Sequence, residues 1–417
     1  MKRLVSVCVL TGLMATGLPG LAQNTTQEPF EKPANLVASS ILPKALLSSP
    51  FHRVEEVVEN DGYLNIYTVS SRFGNYRVVS TALLATRVDE FAAMAAMDKV
   101  SGAKEFGKGV WEGGAGVVEG VKNLVTAPGD TLESAASGVG KLFTRAGESM
   151  TGSKSSKHED SSGAKLSGFA ATRRETAVAF RVDPYSTNEP LQEKLHSLAS
   201  AAYAGSLTAM GLKALIPGGV GIAVTSVSGV SWLGQIDLAQ PPQDLRIKNR
   251  KLLGSMGITR DVSLAFMDND EFTPTQQSRL VKALSDMGSP GGRSTFLRLA
   301  AGTENQDQAL FRQRTALMYL GYSRKVGPIR GFVKLGGLVG AMAGDKLVLC
   351  FPLDHLCWTA AVGKLTAGMG AAVANLRPAG VELWVTGTVS PTAKKALAAK
   401  KWVVREGAGK ELLGEKI

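Results

Sequence analysis

The sequence predicts a helix-dominated α+β fold, on three observations. Alternating runs around a strong turn mark a β-meander near the N-terminus, capped helical segments fill the middle, and a strand–turn–helix–strand unit closes the chain. Among the 417 residues, 44% are hydrophobic, 20% are charged and 47 are glycine. That composition supplies a sizeable core and excludes a wholly disordered chain, a collagen-like repeat or a disulfide-dense small scaffold.

Residues 1–22 read as a secretory signal peptide. Lys2 and Arg3 precede the uncharged run Leu4 to Leu18, and Gly20-Leu21-Ala22 offers small residues at a cleavage site, so cleavage after Ala22 is expected. The expected location is the periplasm or cell envelope. Cys8 lies too early in the apolar run to serve as a lipoprotein cysteine. Loss of Lys2 and Arg3 lowers the formal charge from +11 to +9, so the mature chain stays basic. Residues 23–50, with Pro29, Pro33, Pro43 and Pro50, read as an extended arm.

Residues 51–100 carry the meander. His52 to Glu59 is β-rich, Asn60-Asp61-Gly62 is turn chemistry, and Tyr63 to Ser71 alternates through Leu64, Ile66 and Val69. Tyr76 to Val79 supplies a third strand. Thr81 to Val100 then shows helical spacing through Leu84, Val88, Phe91 and Met94.

Residues 101–150 form a Gly-rich amphipathic segment. Glycines at 109, 113, 116 and 120 fall three or four residues apart and share one helix face, with aliphatics beside them. Each helical glycine costs about 1 kcal/mol relative to alanine, so such a run needs a partner surface. The expected contact residues are Val110, Trp111, Val117, Val121, Leu124, Val125, Leu142 and Phe143. The run Gly120 to Pro128 followed by Gly138 to Phe143 resembles the Gly-rich amphipathic helices near the C-termini of bridge-like lipid-transfer proteins. No chemistry-bearing motif accompanies it, and what the resemblance implies is contact with a lipid surface. A Gly-faced helical hairpin packed on the rest of the protein is the other reading of the same residues.

Residues 151–170 are a polar, Ser-rich linker, and 171–330 read as a helical domain. Asn188 is a candidate N-cap for a helix through Leu191, Leu195 and Leu198, and Asp244 for one ending at Gly257. The uncharged run 214–236 is interrupted by Pro217-Gly218-Gly219, which favours a buried helical hairpin over a membrane span. Thr273-Pro274-Thr275-Gln276 matches a capping box, Gly288 to Gly292 a loop, and Ser294 to Ala301 and Gln306 to Tyr319 further helices. In residues 331–417 a hairpin is expected from Phe332 to Met342 and Lys346 to Phe351. A β-α-β unit follows from Val381 to Arg405, with Ser390 as N-cap and Pro391 as the first helical residue.

Tests for chemistry are mostly negative. The sequence holds no Gly-x-Ser-x-Gly, and His52, His158, His196 and His355 are scattered. Gly102 to Lys108 imitates a phosphate loop, but Gly109 stands where a hydroxyl must meet magnesium. Cys350, His355 and Cys357 fit no common zinc spacing, and Asp268-Asn269-Asp270 lacks the remaining calcium ligands, so neither a metal nor a cofactor is expected. Export makes a Cys350–Cys357 disulfide an alternative to two buried thiols. Gly387, Thr388 and Ser390 form a turn before a helix N-terminus, a place where anions bind. The positive charge points to an anionic lipid surface or another envelope protein as partner rather than nucleic acid, because the cations are not interleaved with stacking aromatics. The sequence sets no oligomeric state. The expected function is therefore a non-enzymatic envelope protein associating peripherally through its Gly-rich segment, with an envelope-polymer hydrolase or a soluble periplasmic ligand-binding protein as alternatives.

Overall fold

A computed structural model describes residues 30–110, 168–203 and 236–415, with the side chains of 101–110 excepted. The architecture is mixed helix and sheet with helices predominating, as the sequence predicts.

The N-terminal sheet opens with β1 (Leu36–Val37), two single turns α1 (Ala38–Ile41) and α2 (Lys44–Leu47), and β2 (Ser48–Ser49). Strands β3 (His52–Val54) and β4 (Val57–Asn60) lie end to end along one edge of β5 (Asn65–Ser71), and β6 (Gly74–Val79) lies along the other. This is the expected meander, extended by β1 on β4 and by β2 on β3. Its first turn is set by side chains. Asp61 Oδ1 accepts from the amides of Tyr63 and Leu64 at 2.9 and 2.8 Å, and Gly62 takes a φ of +107° that an L side chain rarely adopts.

Helix α3 (Thr81–Val110) packs Leu84, Phe91 and Met94 onto Tyr67 and Val69 of the sheet. It runs past the expected end at Val100, through Gly102, Gly107 and Gly109. The Gly-rich segment is thus entered as a continuation of a core helix. Helices α4 (Phe169–Ala179) and α5 (Glu189–Tyr203) join the same core through Ala177, Leu191, Leu195 and Leu198. Asn188 precedes α5 as expected, but its side chain donates to Glu90 on α3 at 2.8 Å rather than capping. The uncharged run before Ile236 lies outside the described residues; among those described, no helix is long and apolar enough to cross a membrane.

Helices α6 (Pro242–Ser255), α7 (Arg260–Met267), α8 (Pro274–Asp286), α9 (Arg293–Ala301) and α10 (Gln306–Lys325) build a second core. The capping box at Thr273 is complete. Its hydroxyl accepts from Gln276 N at 3.2 Å, and the Gln276 side chain accepts from Thr273 N at 2.9 Å. Asp244 sits inside the first turn of α6, behind Pro242, rather than at its cap.

The C-terminal sheet is five-stranded. Where one hairpin was expected there are two, because Gly336-Gly337 folds β7 (Gly331–Leu335) onto β8 (Leu338–Ala343) before Gly344 turns the chain into β9 (Lys346–Phe351). After β9 come β10 (His355–Leu356) and a helix absent from the sequence reading, α11 (Ala360–Leu376). Strand β11 (Gly380–Val385), α12 (Pro391–Ala399) and β13 (Trp402–Arg405) complete the unit as predicted, whereas Thr388–Val389, expected within a turn, forms the short β12 parallel to β10. Ser390 Oγ accepts from Ala393 N at 3.0 Å, the expected cap. Strands β9, β11 and β13 are mutually parallel, so the predicted β-α-β unit is the second half of a β-α-β-α-β run. Alternation along β9 splits the sheet's two faces. Val348 and Cys350 pack toward α9 and α10, while Leu347, Leu349 and Phe351 join Val362 of α11 and Leu397 of α12 in a third core.

Candidate functional site

The third core is not filled. Between the sheet and α11 lies a cavity of about 220 Å³. Its floor is one side chain from each of four adjacent strands: Leu338 of β8, Phe351 of β9, Leu383 of β11 and Trp402 of β13. Its roof is Val362, Thr366 and Met369, spaced to share one face of α11. Tyr63 and Leu64 from the meander turn and Phe311 from α10 also line it, as does Leu397 of α12. The Thr366 hydroxyl donates back to Val362 O at 2.7 Å, which removes it as a polar handle.

The two ends differ. Leu397 is 1% exposed and Leu383 3%, whereas Leu365 is 38% exposed and Tyr63, Leu64, Phe311 and Leu338 are only partly buried. The cavity is therefore blind at the α12 end and open at the end walled by Tyr63, Phe311 and Leu338.

The roof is light. Thr359 caps α11 by accepting from Val362 N at 3.2 Å, and only Val362, Thr366 and Met369 are buried along its length. The first described residues brace it. The Phe30 ring lies where a Cβ on Gly363 would sit 2.5 Å away, and Glu31 N donates to Trp358 O at 3.0 Å. The Glu31 carboxylate accepts from Trp358 N and from the Ser390 hydroxyl.

A polar cluster holds the open end in place. The amides of Asp354 and His355 both donate to Tyr63 O, at 3.0 and 3.2 Å, and Cys357 N donates to Gly62 O at 2.9 Å. In return Asp354 Oδ2 accepts from Asn65 N and Thr81 N, each at 3.0 Å. Burial outweighs those bonds and pushes the Asp354 carboxyl up to about 6. Nearby, Arg314 pairs with Glu415 at 2.7 Å. Arg312, next to the cavity-lining Phe311, donates from one terminal nitrogen to Gly337 O at 3.4 Å, and its buried Nε has no partner. Desolvation lowers its pKa, and among the described residues it forms no ion pair.

The residues singled out from sequence fall elsewhere. Gly387, Thr388 and Ser390 form a turn whose amides are already engaged, by Leu353 O at 2.8 Å, Asp354 O at 3.0 Å and Leu356 O at 2.9 Å respectively. Val389 N donates to the Glu406 carboxylate at 2.7 Å, and Gly387 is pressed so closely on Asp354 O that a Cβ would lie 1.9 Å from it. The turn is a docking seam, with its donors facing protein oxygens. Cys350 and Cys357 are free, buried thiols, and burial raises both pKa values, Cys357 to about 11. Cys350 faces the α10 side of the sheet, while Cys357 Sγ lies 3.7 Å from Asn60 Oδ1 in the meander. Val110 ends α3; Trp111, Val117, Val121, Leu124, Val125, Leu142 and Phe143 lie outside the described residues.

The histidines are dispersed over separate elements. His52 Nε2 bonds Leu46 O at 3.0 Å, His196 packs on the Phe169 ring, and His355 Nδ1 bonds Thr388 Oγ1 at 2.7 Å. No group of side chains with metal-ligand geometry occurs among the described residues. The cavity itself escaped the sequence reading. The one signal available was the cap at Thr359 ahead of an apolar, nearly uncharged run, Ala360 to Leu376. Compared with known proteins, the chain matches no family model, no curated sequence and no solved structure.

Proposed function

We propose that this protein is a non-enzymatic component of the cell envelope that binds an apolar guest under α11. In this reading it meets the membrane peripherally through the Gly-rich segment. The observation that carries it is the cavity wall, which is hydrocarbon from floor to roof and open at one end. The apolar wall offers water in the cavity few hydrogen-bond partners, so an apolar guest that displaces that water is favoured. A guest that moves between a membrane and this site accords with a helix leading straight from the core into a Gly-rich amphipathic run.

Native mass spectrometry of the purified protein, followed by solvent extraction, tests the binding. A co-purifying apolar molecule is expected, lost in Thr366→Phe, whose ring projects into the cavity. Liposome flotation of the mature protein against a form lacking residues 101–150 tests the membrane contact, and salt-resistant flotation that needs the segment is expected. A protein that carries no guest and takes up no added apolar probe refutes the binding, and failure to float on any vesicle refutes the membrane contact.

A further inference from the structure

On the face of the C-terminal sheet away from the cavity, the loop Gly288 to Gly292 leads into α9. It is pinned to β7, because Gly291 N donates to Arg330 O at 2.8 Å and Gly291 O accepts from Phe332 N at 2.9 Å. Gly292 then takes a φ of +71°, so close to the sheet that a Cβ would lie 2.3 Å from Phe332 O. A left-handed residue followed by the first right-handed residue of a helix turns successive amides toward one point, a concavity that suits an anion. Here those amides belong to Gly292, Arg293 and Ser294. None of the three has a hydrogen-bond partner among the described residues, and no side chain caps α9. Gly291 and Gly292 are exposed.

The first residue of this helix is a cation, although acidic side chains are the ones favoured at the positive end of a helix dipole. Arg293 is only 8% exposed, and its Nε and Nη2 are both buried without a partner. No carboxylate pairs with it among the described residues: Asp261 is taken by Arg298 at 3.5 Å, and Asp286 by Lys282 and Arg324 at 2.9 and 3.0 Å. From Met287 to Thr303 the chain carries no acidic residue. The Cα–Cβ bond of a helical residue leans toward the helix N-terminus, so the Arg293 side chain sets out on the side of the free amides. Two sets of donors that lack acceptors, one backbone and one side chain, thus start from the same place. A buried guanidinium without a counter-charge is costly, and an anion held by the amides supplies one.

We propose that the N-terminus of α9 binds a phosphate group, held by the amides of Gly292, Arg293 and Ser294 and by the Arg293 guanidinium. A tetrahedral oxyanion presents oxygens to both sets, and a guanidinium fork matches two of them. Inorganic phosphate and the phosphomonoester head group of phosphatidate share this chemistry.

Calorimetric titration of the whole protein with inorganic phosphate, against nitrate as control, is expected to show one saturable phosphate site. Arg293→Met is expected to weaken it about tenfold, the size of one charge-assisted pair, with Arg293→Lys in between and Arg298→Met unchanged. Urea denaturation supplies a second reading, with phosphate replacing chloride at constant ionic strength. Phosphate strengthens any folded state through its exclusion from protein surfaces, so the difference between variants is what counts. In chloride, Arg293→Met should be at least as stable as the parent, having lost an unpaired buried cation, and in phosphate the order should reverse. Flotation on phosphatidylcholine vesicles with and without phosphatidate names the source. A loss in Arg293→Met confined to phosphatidate vesicles assigns a lipid head group, and equal flotation of both proteins assigns free phosphate. No saturable phosphate site in the parent overturns the proposal, as does a site that survives Arg293→Met intact. Equal gains by parent and Arg293→Met in phosphate overturn it too, since they are the general salt effect alone.

Discussion

Replacing Asp354 in two ways separates its charge from its hydrogen bonds. Both bonds to backbone amides, from Asn65 and Thr81, end on the same oxygen, Oδ2. Asn in its place keeps that acceptor as Oδ1 and removes the charge, whereas Ala leaves two inward-facing amides without partners. At roughly 1–3 kcal/mol for each unsatisfied donor, Asp354→Ala is expected to destabilise the protein by about 2–5 kcal/mol. The charge works in the opposite direction. Burial lifts the carboxyl from 3.8 to about 6 in the folded protein. The fold therefore holds a proton more tightly than the unfolded chain does, and this contribution is complete below pH ~4 and is lost as pH rises through ~6. A shift of that size corresponds to at most about 3 kcal/mol. Asp354→Asn should thus match or exceed the parent near pH 7 and flatten the part of the stability profile between pH 4 and 6 that belongs to this residue. Asp183, also raised to about 6 by burial, leaves a second contribution of the same sign in both proteins. Urea denaturation of the three proteins at pH 4.5 and 7.5 measures all of this. An Asn variant as damaged as the Ala variant at both pH values would refute the reasoning.

Three other outcomes follow from local geometry. Gly387→Ala would place a Cβ 1.9 Å from Asp354 O, and the forced separation is expected to cost about 3 kcal/mol by urea denaturation, with a larger loss pointing to detachment of the meander. Cys350 and Cys357 should ignore a thiol reagent while folded and both react once unfolded, without reductant; a mass two daltons low in the untreated protein would show a disulfide instead. Thr273→Ala breaks the capping box on α8 and should lower stability by about 1 kcal/mol, measured by thermal or urea unfolding.

Local stereochemistry was what the sequence displayed most openly. Asn60-Asp61-Gly62, Thr273 to Gln276 and Ser390-Pro391 each combine residue types that suit one backbone geometry, and each adopts it here. The helix α11 lacked such contrast. Its outward face is Ala and Gly rather than charge, with Lys364 the single charged side chain, so the alternation that betrays an amphipathic helix is missing. Asn188 and Asp244 are good capping residues by type, yet tertiary partners and a neighbouring proline decided their places. The turn at Gly387 was recognised as a turn. What it faces could not be read, because the oxygens meeting its amides come from a strand end some thirty residues earlier. The cavity was further out of reach, since Tyr63, Phe311, Leu365 and Trp402 are brought together only when the meander docks on the C-terminal sheet.

That docking ties the clamp to the cavity. Tyr63 and Leu64 wall the open end, and the carbonyl of Tyr63 accepts the amides of Asp354 and His355. The Asp354 carboxylate holds Asn65, two residues on from Tyr63, from the other side. Position of the wall and satisfaction of the carboxylate are therefore one arrangement. A variant that loosens the clamp should widen the mouth before it unfolds the protein. Asp354→Ala is expected to weaken binding of an added apolar probe severalfold under conditions where circular dichroism shows it folded, while Asp354→Asn binds as the parent does. The charged side chain is not needed for this, only its two accepted hydrogen bonds. Equal binding by all three folded proteins would show that the meander turn bounds the cavity without controlling it, and would place the control of access on α11 and the Phe30–Glu31 brace instead.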